Sequence, residues 1–73
     1  MKIVQVITKN KKGRCKIRPF NNEQDLVEYL LKVREEGVIK CSNEQIGRIW
    51  KEGGRWNWTY DAEKAADMVM LVF

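Results

Sequence analysis

Arg14-Cys15-Lys16-Ile17-Arg18 alternates charged and apolar side chains with a period of two, directly after the turn-forming run Asn10-Lys11-Lys12-Gly13. That spacing scatters around a helix but sorts cleanly onto the two faces of a strand, so the opening of the chain reads as strand, turn, strand. The first strand is residues 2–8, with Ile3 and Ile7 on one face and Val4 and Val6 on the other, a pattern suited to cover on both sides. In the second strand the alternation predicts Cys15 and Ile17 turned inward and Arg14, Lys16 and Arg18 outward. Pro19 ends the run, because proline has no N–H to give to a ladder.

After the hairpin, Asn21 or Asn22 is placed to cap a helix whose first turn carries Glu23 and Asp25. Leu26, Val27, Leu30, Leu31 and Val33 supply its apolar face, and Gly37 predicts a stop near Glu36. Val38-Ile39-Lys40-Cys41 reads as a brief strand or an extended connection. Residues 42–51 read two ways. Ser42-Asn43-Glu44-Gln45 matches a capping box, with Ile46, Ile49 and Trp50 following on one helical face. Alternatively 46–51 is extended and turns at Glu52-Gly53-Gly54 into a return strand, Arg55–Tyr60. The Gly-Gly turn and the β-rich run after it support each other and favour the strand. Asp61 is placed to cap a last helix, and Met68–Phe73 is continuously apolar, continuing that helix or turning into a final strand that the core or a second subunit must cover. The expectation is one α+β domain over residues 1–73: an N-terminal β-hairpin, one amphipathic helix, a second, Trp-bearing β-hairpin, and an apolar C-terminal helix or strand. A core this small, with such a tail, also suits a homodimer.

Composition removes several function classes. There is no histidine, hence neither the commonest general base nor the commonest metal ligand. Cys15 and Cys41 lie 26 positions apart with no second thiol beside either, which excludes a structural zinc site, argues against a disulfide-dense scaffold, and favours two reduced, partly buried thiols over a single bridge between them. Ser42, the one serine, is accounted for by the capping role, the thiols have no imidazole to activate them, and no glycine pattern matches a phosphate loop. A non-enzymatic protein without metal or cofactor is expected. The apolar stretch at the N-terminus is too short for a signal peptide and no window is long enough to span a membrane, so the cytoplasm is the expected compartment.

Charge is distributed very unevenly. Residues 1–20 hold Lys2, Lys9, Lys11, Lys12, Arg14, Lys16 and Arg18 and no acid, a local charge of +7 in a chain whose net charge is +4. Residues 21–36 hold five acids against Lys32 and Arg34. Lys9, Lys11, Lys12, Arg14, Lys16 and Arg18 are therefore candidate contacts to the phosphates of DNA or RNA, their strand spacing of about 6.6–6.8 Å lying close to that of successive phosphates. The same residues suit an acidic protein partner, or simply a solvated hairpin face whose lysines discourage edge-to-edge pairing. Trp50, Trp56 and Trp58, with Tyr60 and Arg55, form a second concentration. Aligned aromatics beside arginine can stack unpaired bases, anchor a protein interface, or serve as core. Nucleic-acid binding through the basic hairpin is the leading expectation, and an interaction module or inhibitor docking an acidic protein with tryptophan anchors is the alternative.

Overall fold

In a computed structural model that describes residues 3–65, the chain runs β1 (Val4–Lys9), β2 (Cys15–Phe20), α1 (Glu23–Lys32), β3 (Glu36–Cys41), β4 (Glu44–Glu52) and β5 (Arg55–Tyr60). The strands form one antiparallel sheet in the order β2-β1-β3-β4-β5, broadly an α+β arrangement. Three of the four pairings join sequence neighbours through tight turns. The fourth, β1 with β3, is made when the chain leaves the edge strand β2, crosses the sheet as α1 and returns on the far side of β1. The apolar tail from Met68 lies outside the described residues. A helical turn begins at Ala62, where the Asp61 carboxylate accepts from the Glu63 and Lys64 amides at 3.0 and 3.3 Å. No helix among the described residues is long and apolar enough to cross a membrane.

One face of the sheet is covered. Val4 and Val6 of β1, Ile39 and Cys41 of β3 and Ile46 and Ile49 of β4 pack with Leu26, Leu30 and Val33 from α1 and its end, and with Ala65. Asn22 is the helix cap, its Oδ1 accepting from the Asp25 amide at 2.9 Å. The helix stops at Lys32, four residues before the expected end. Gly37 is not its terminator: it lies in β3, opposite Thr8, where the β1 backbone approaches too closely for any side chain. The chain leaves the helix at Val33, which is extended at ψ 139° while its amide still donates to the Tyr29 carbonyl.

Residues 44–51 are extended, as part of β4, rather than helical. Ser42 and Asn43 have φ of +52° and +68° and close a two-residue turn of the kind that matches the twist of a hairpin. A bulge re-phases β4: Ile39 pairs with Gly47 but Lys40 pairs with Gln45, leaving Ile46 extra. Ile46 and Ile49, three apart, thereby both reach the core, which is why the segment imitates helical spacing. Because neither turn residue is glycine, Ser42→Asn combined with Asn43→Gly should stabilise the protein by about 1 kcal/mol, read as a higher unfolding midpoint in urea.

β2 departs from the expected orientation. Its register with β1 sets Lys16, Arg18 and Phe20 opposite Thr8, Val6 and Val4, on the helix side, and Cys15 and Ile17 opposite Lys9 and Ile7, on the other face. Cys15 is exposed, and Ile17 is 60% exposed. The cause is β1, which must turn its valines toward α1 and so dictates the parity of its neighbour. The helix reaches only the end of this edge strand, where the Phe20 and Tyr29 rings lie 5.3 Å apart. Arg18 is accommodated on that side by resting its guanidinium over the Tyr29 ring, 5.3 Å from the centroid.

Candidate nucleic-acid interface

Three connections meet at one end of the sheet: the β1–β2 turn, the α1–β3 loop and the β4–β5 turn. The first is held by Asn10, whose Oδ1 accepts from the Lys12 and Arg14 amides, both at 2.9 Å, and whose amide donates to the Arg14 carbonyl at 2.9 Å. The Lys11, Lys12 and Arg14 side chains therefore project from an ordered scaffold. The second connection is tied down by Thr8, fully buried in β1, whose Oγ1 donates to Glu35 Oε1 at 3.3 Å. Next to Glu35, Arg34 folds back on the end of α1 and donates from Nη1 to the carbonyls of Val33 and Leu31 at 3.0 and 3.4 Å. These are helix-terminal acceptors that a cation satisfies well.

The loops enclose a cleft of about 780 Å³. Lys9, Lys11, Lys12 and Arg14 enter it from the hairpin, Arg34 from the loop and Lys51 from the end of β4, against Glu35 and Glu36. Six cations to two carboxylates around one concavity focus positive potential there. Trp56 forms part of the wall, with the Lys51 ammonium 6.0 Å from its ring centroid. Among the described residues the ion pair present is Lys64 with Glu44, at the far end of β4 from the cleft, and no hairpin cation is within pairing distance of a carboxylate. The acidic helix does not neutralise the ribbon by contact.

The sequence-derived candidates do not form one site. Lys9, Lys11, Lys12, Arg14 and Trp56 come together at the cleft, while Lys16 and Arg18 lie further along β2. Trp58 and Tyr60 stack on one another, centroids 5.9 Å apart, and rest against the core. Trp50 pairs with Asn57, whereas its neighbour Lys51 pairs with Trp56, so Trp50 occupies the opposite face of the sheet from the other aromatics. There the Arg48 guanidinium sits 4.6 Å from its centroid and its indole N–H donates to Glu52 Oε2 at 3.1 Å. Arg55 lies beside the β4–β5 turn, in a second depression with Arg34, Trp56 and Trp58. Arg34 and Lys51 are the cleft cations that linear reading did not join to the hairpin. Arg34 follows a helix rich in acid, and the early end of that helix at Lys32 brings it round to the cleft.

Tyr60 is a structural tie. Its hydroxyl donates to Glu23 Oε1 at 2.6 Å, joining β5 to the first turn of α1. Burial, and then the adjacent carboxylate, push its pKa up to about 12. The unfolded chain ionises tyrosine near 10, so this contribution is complete below about pH 10 and disappears as the pH rises to about 12. The site is partly open to water, and after screening the contribution is about 1 kcal/mol. Tyr60→Phe should therefore be less stable than the parent at neutral pH by that amount, and thermal melts should show the gap closing between pH 10 and 12.

No family model, curated protein or solved structure matches this chain.

Proposed function

We propose that this protein is a small non-enzymatic binding domain that engages the phosphates of a nucleic acid with the cleft at the turn-bearing end of its sheet. The observation that carries the reading is the convergence of Lys9, Lys11, Lys12, Arg14, Arg34 and Lys51, drawn from three separate segments, around one concavity. Lysines serving only solubility or edge protection gain nothing from convergence, and mutual repulsion makes it costly. A polyanion repays that cost by releasing its own counterions. Fluorescence anisotropy with a labelled oligonucleotide tests it: affinity should fall linearly in log–log form as salt rises, with a slope equivalent to about four to six phosphates. Absence of binding to single- and double-stranded probes at low salt would refute the proposal.

A second reading is supported by the face of the sheet that α1 leaves uncovered. One rung of the ladder there runs Ile17, Ile7, Val38, Arg48 and Thr59, and the next runs Pro19, Gln5, Lys40 and Gln45. Apolar side chains with Lys40 and Arg48, and no carboxylate in either rung, suit an acidic protein segment better than a second copy of this chain, whose cations would meet their own kind; Trp50 lies on a further rung of the same face, with its indole N–H on Glu52. Affinity capture with and without nuclease separates the readings. A partner that survives nuclease and is lost with Trp50→Ala, but not with Trp56→Ala, belongs to this face.

A further inference from the structure

We infer that the nucleic acid taken by the cleft is an unpaired strand, one base of which enters an adjoining groove between the end of α1 and the β4–β5 hairpin. This inference rests on the cleft being a phosphate site. The groove, about 390 Å³, is walled by Leu30, Leu31, Trp56 and Trp58 and edged by Arg34 and Arg55. Arg34 and Trp56 line both depressions, so the two are parts of one surface rather than separate sites.

The two compartments differ in chemistry. The cleft is ringed by ammonium and guanidinium groups, whereas the groove offers aliphatic and indole surface with arginine at its margin. A ligand filling both must join an anion to a flat, weakly polar body within a few ångströms, as a nucleotide does. Leu31 remains 61% exposed and Trp56 half-buried, so apolar surface is left open at the groove. Arg34 is held by the Leu31 and Val33 carbonyls, and an arginine fixed in this way presents its planar face without losing further side-chain freedom on binding. In a duplex the flat faces of the bases are hidden in the stack, and only an unpaired strand can offer one to Trp56. A duplex would use the cleft and leave the groove empty.

The test compares three probes by anisotropy and by quenching of tryptophan emission: oligo-dT of about ten nucleotides, the same length of duplex, and inorganic polyphosphate. Oligo-dT should bind most tightly and quench the indoles. Trp56→Leu should weaken oligo-dT binding about tenfold or more, a clearly larger factor than its effect on polyphosphate, which meets Trp56 only as part of the cleft wall. An oligo-dT strand carrying abasic sites, measured on the unaltered protein, should lose the same advantage and does not depend on the variant folding. Equal affinity for oligo-dT, its abasic counterpart and the duplex would overturn the inference while leaving the phosphate cleft standing. Failure of all the probes, polyphosphate included, would overturn both.

Discussion

Gly47→Ala is expected to destabilise the protein by about 3 kcal/mol, close to the upper end of what added bulk costs in a packed interior. A Cβ at this position would lie against the Thr59 carbonyl oxygen and stand 2.6 Å and 2.7 Å from Cβ and Cα of Tyr60, the residue it pairs with across β4 and β5. These are mostly backbone atoms of a paired strand, so relief requires separating the strands rather than rotating a side chain. In a domain of this size the change should lower the thermal midpoint by roughly 12–24 °C, measured by circular dichroism. Gly54→Ala is the contrast. Its Cβ meets open space, and only the positive φ of +78° opposes it, a penalty of about 1–2 kcal/mol. Similar losses from the two variants would mean that β4 and β5 are not in the register described.

Replacing Lys11, Lys12 and Arg14 together by Gln should weaken nucleic-acid binding about a hundredfold at 0.1 M salt and flatten the salt slope by about two to three. The fold should survive, because the turn is held by the amides of residues 12 and 14 on the Asn10 side chain, not by the side chains being replaced. Lys32, Lys40 and Arg48 provide the control. Replacing those three by Gln removes the same charge from positions that do not line the cleft, and binding should change by a few-fold only. If both triple variants lose affinity equally, attraction is a matter of net charge and the cleft has no special standing.

Much of this architecture was legible from local rules. The turn at Asn10–Gly13, the cap at Asn22 and the return strand at Arg55–Tyr60 follow from turn chemistry, capping and β-propensity, and the structure has each of them. What local rules could not supply was which side of each strand the helix would cover. Alternation in β2 is identical whether Ile17 or Arg18 faces α1, and the choice was made by the valines of β1 through a register no single strand contains. The extra residue Ile46 likewise gave β4 a spacing that fits either a helix or a bulged strand. At the cleft, the hairpin cations were visible as a charge run. Arg34 and Lys51 were not visible as their neighbours, since the three loops meet only after α1 has crossed the sheet.

That crossing also shapes how the protein assembles and how a ligand would act on it. The β1–β2 hairpin and the β3–β4–β5 meander each close through turns of a few residues, while their junction pairs Val4 with Cys41 and must wait for a long stretch of chain to come round. Joining the two modules is thus the expected slow step of folding. Lys9 and Arg14 belong to the first module, Lys51 and Trp56 to the second, and Arg34 to the linker between them. A polyanion gripping all of them would act as a clasp across the seam, slowing unfolding at the one place where the molecule has no local turn to hold it together.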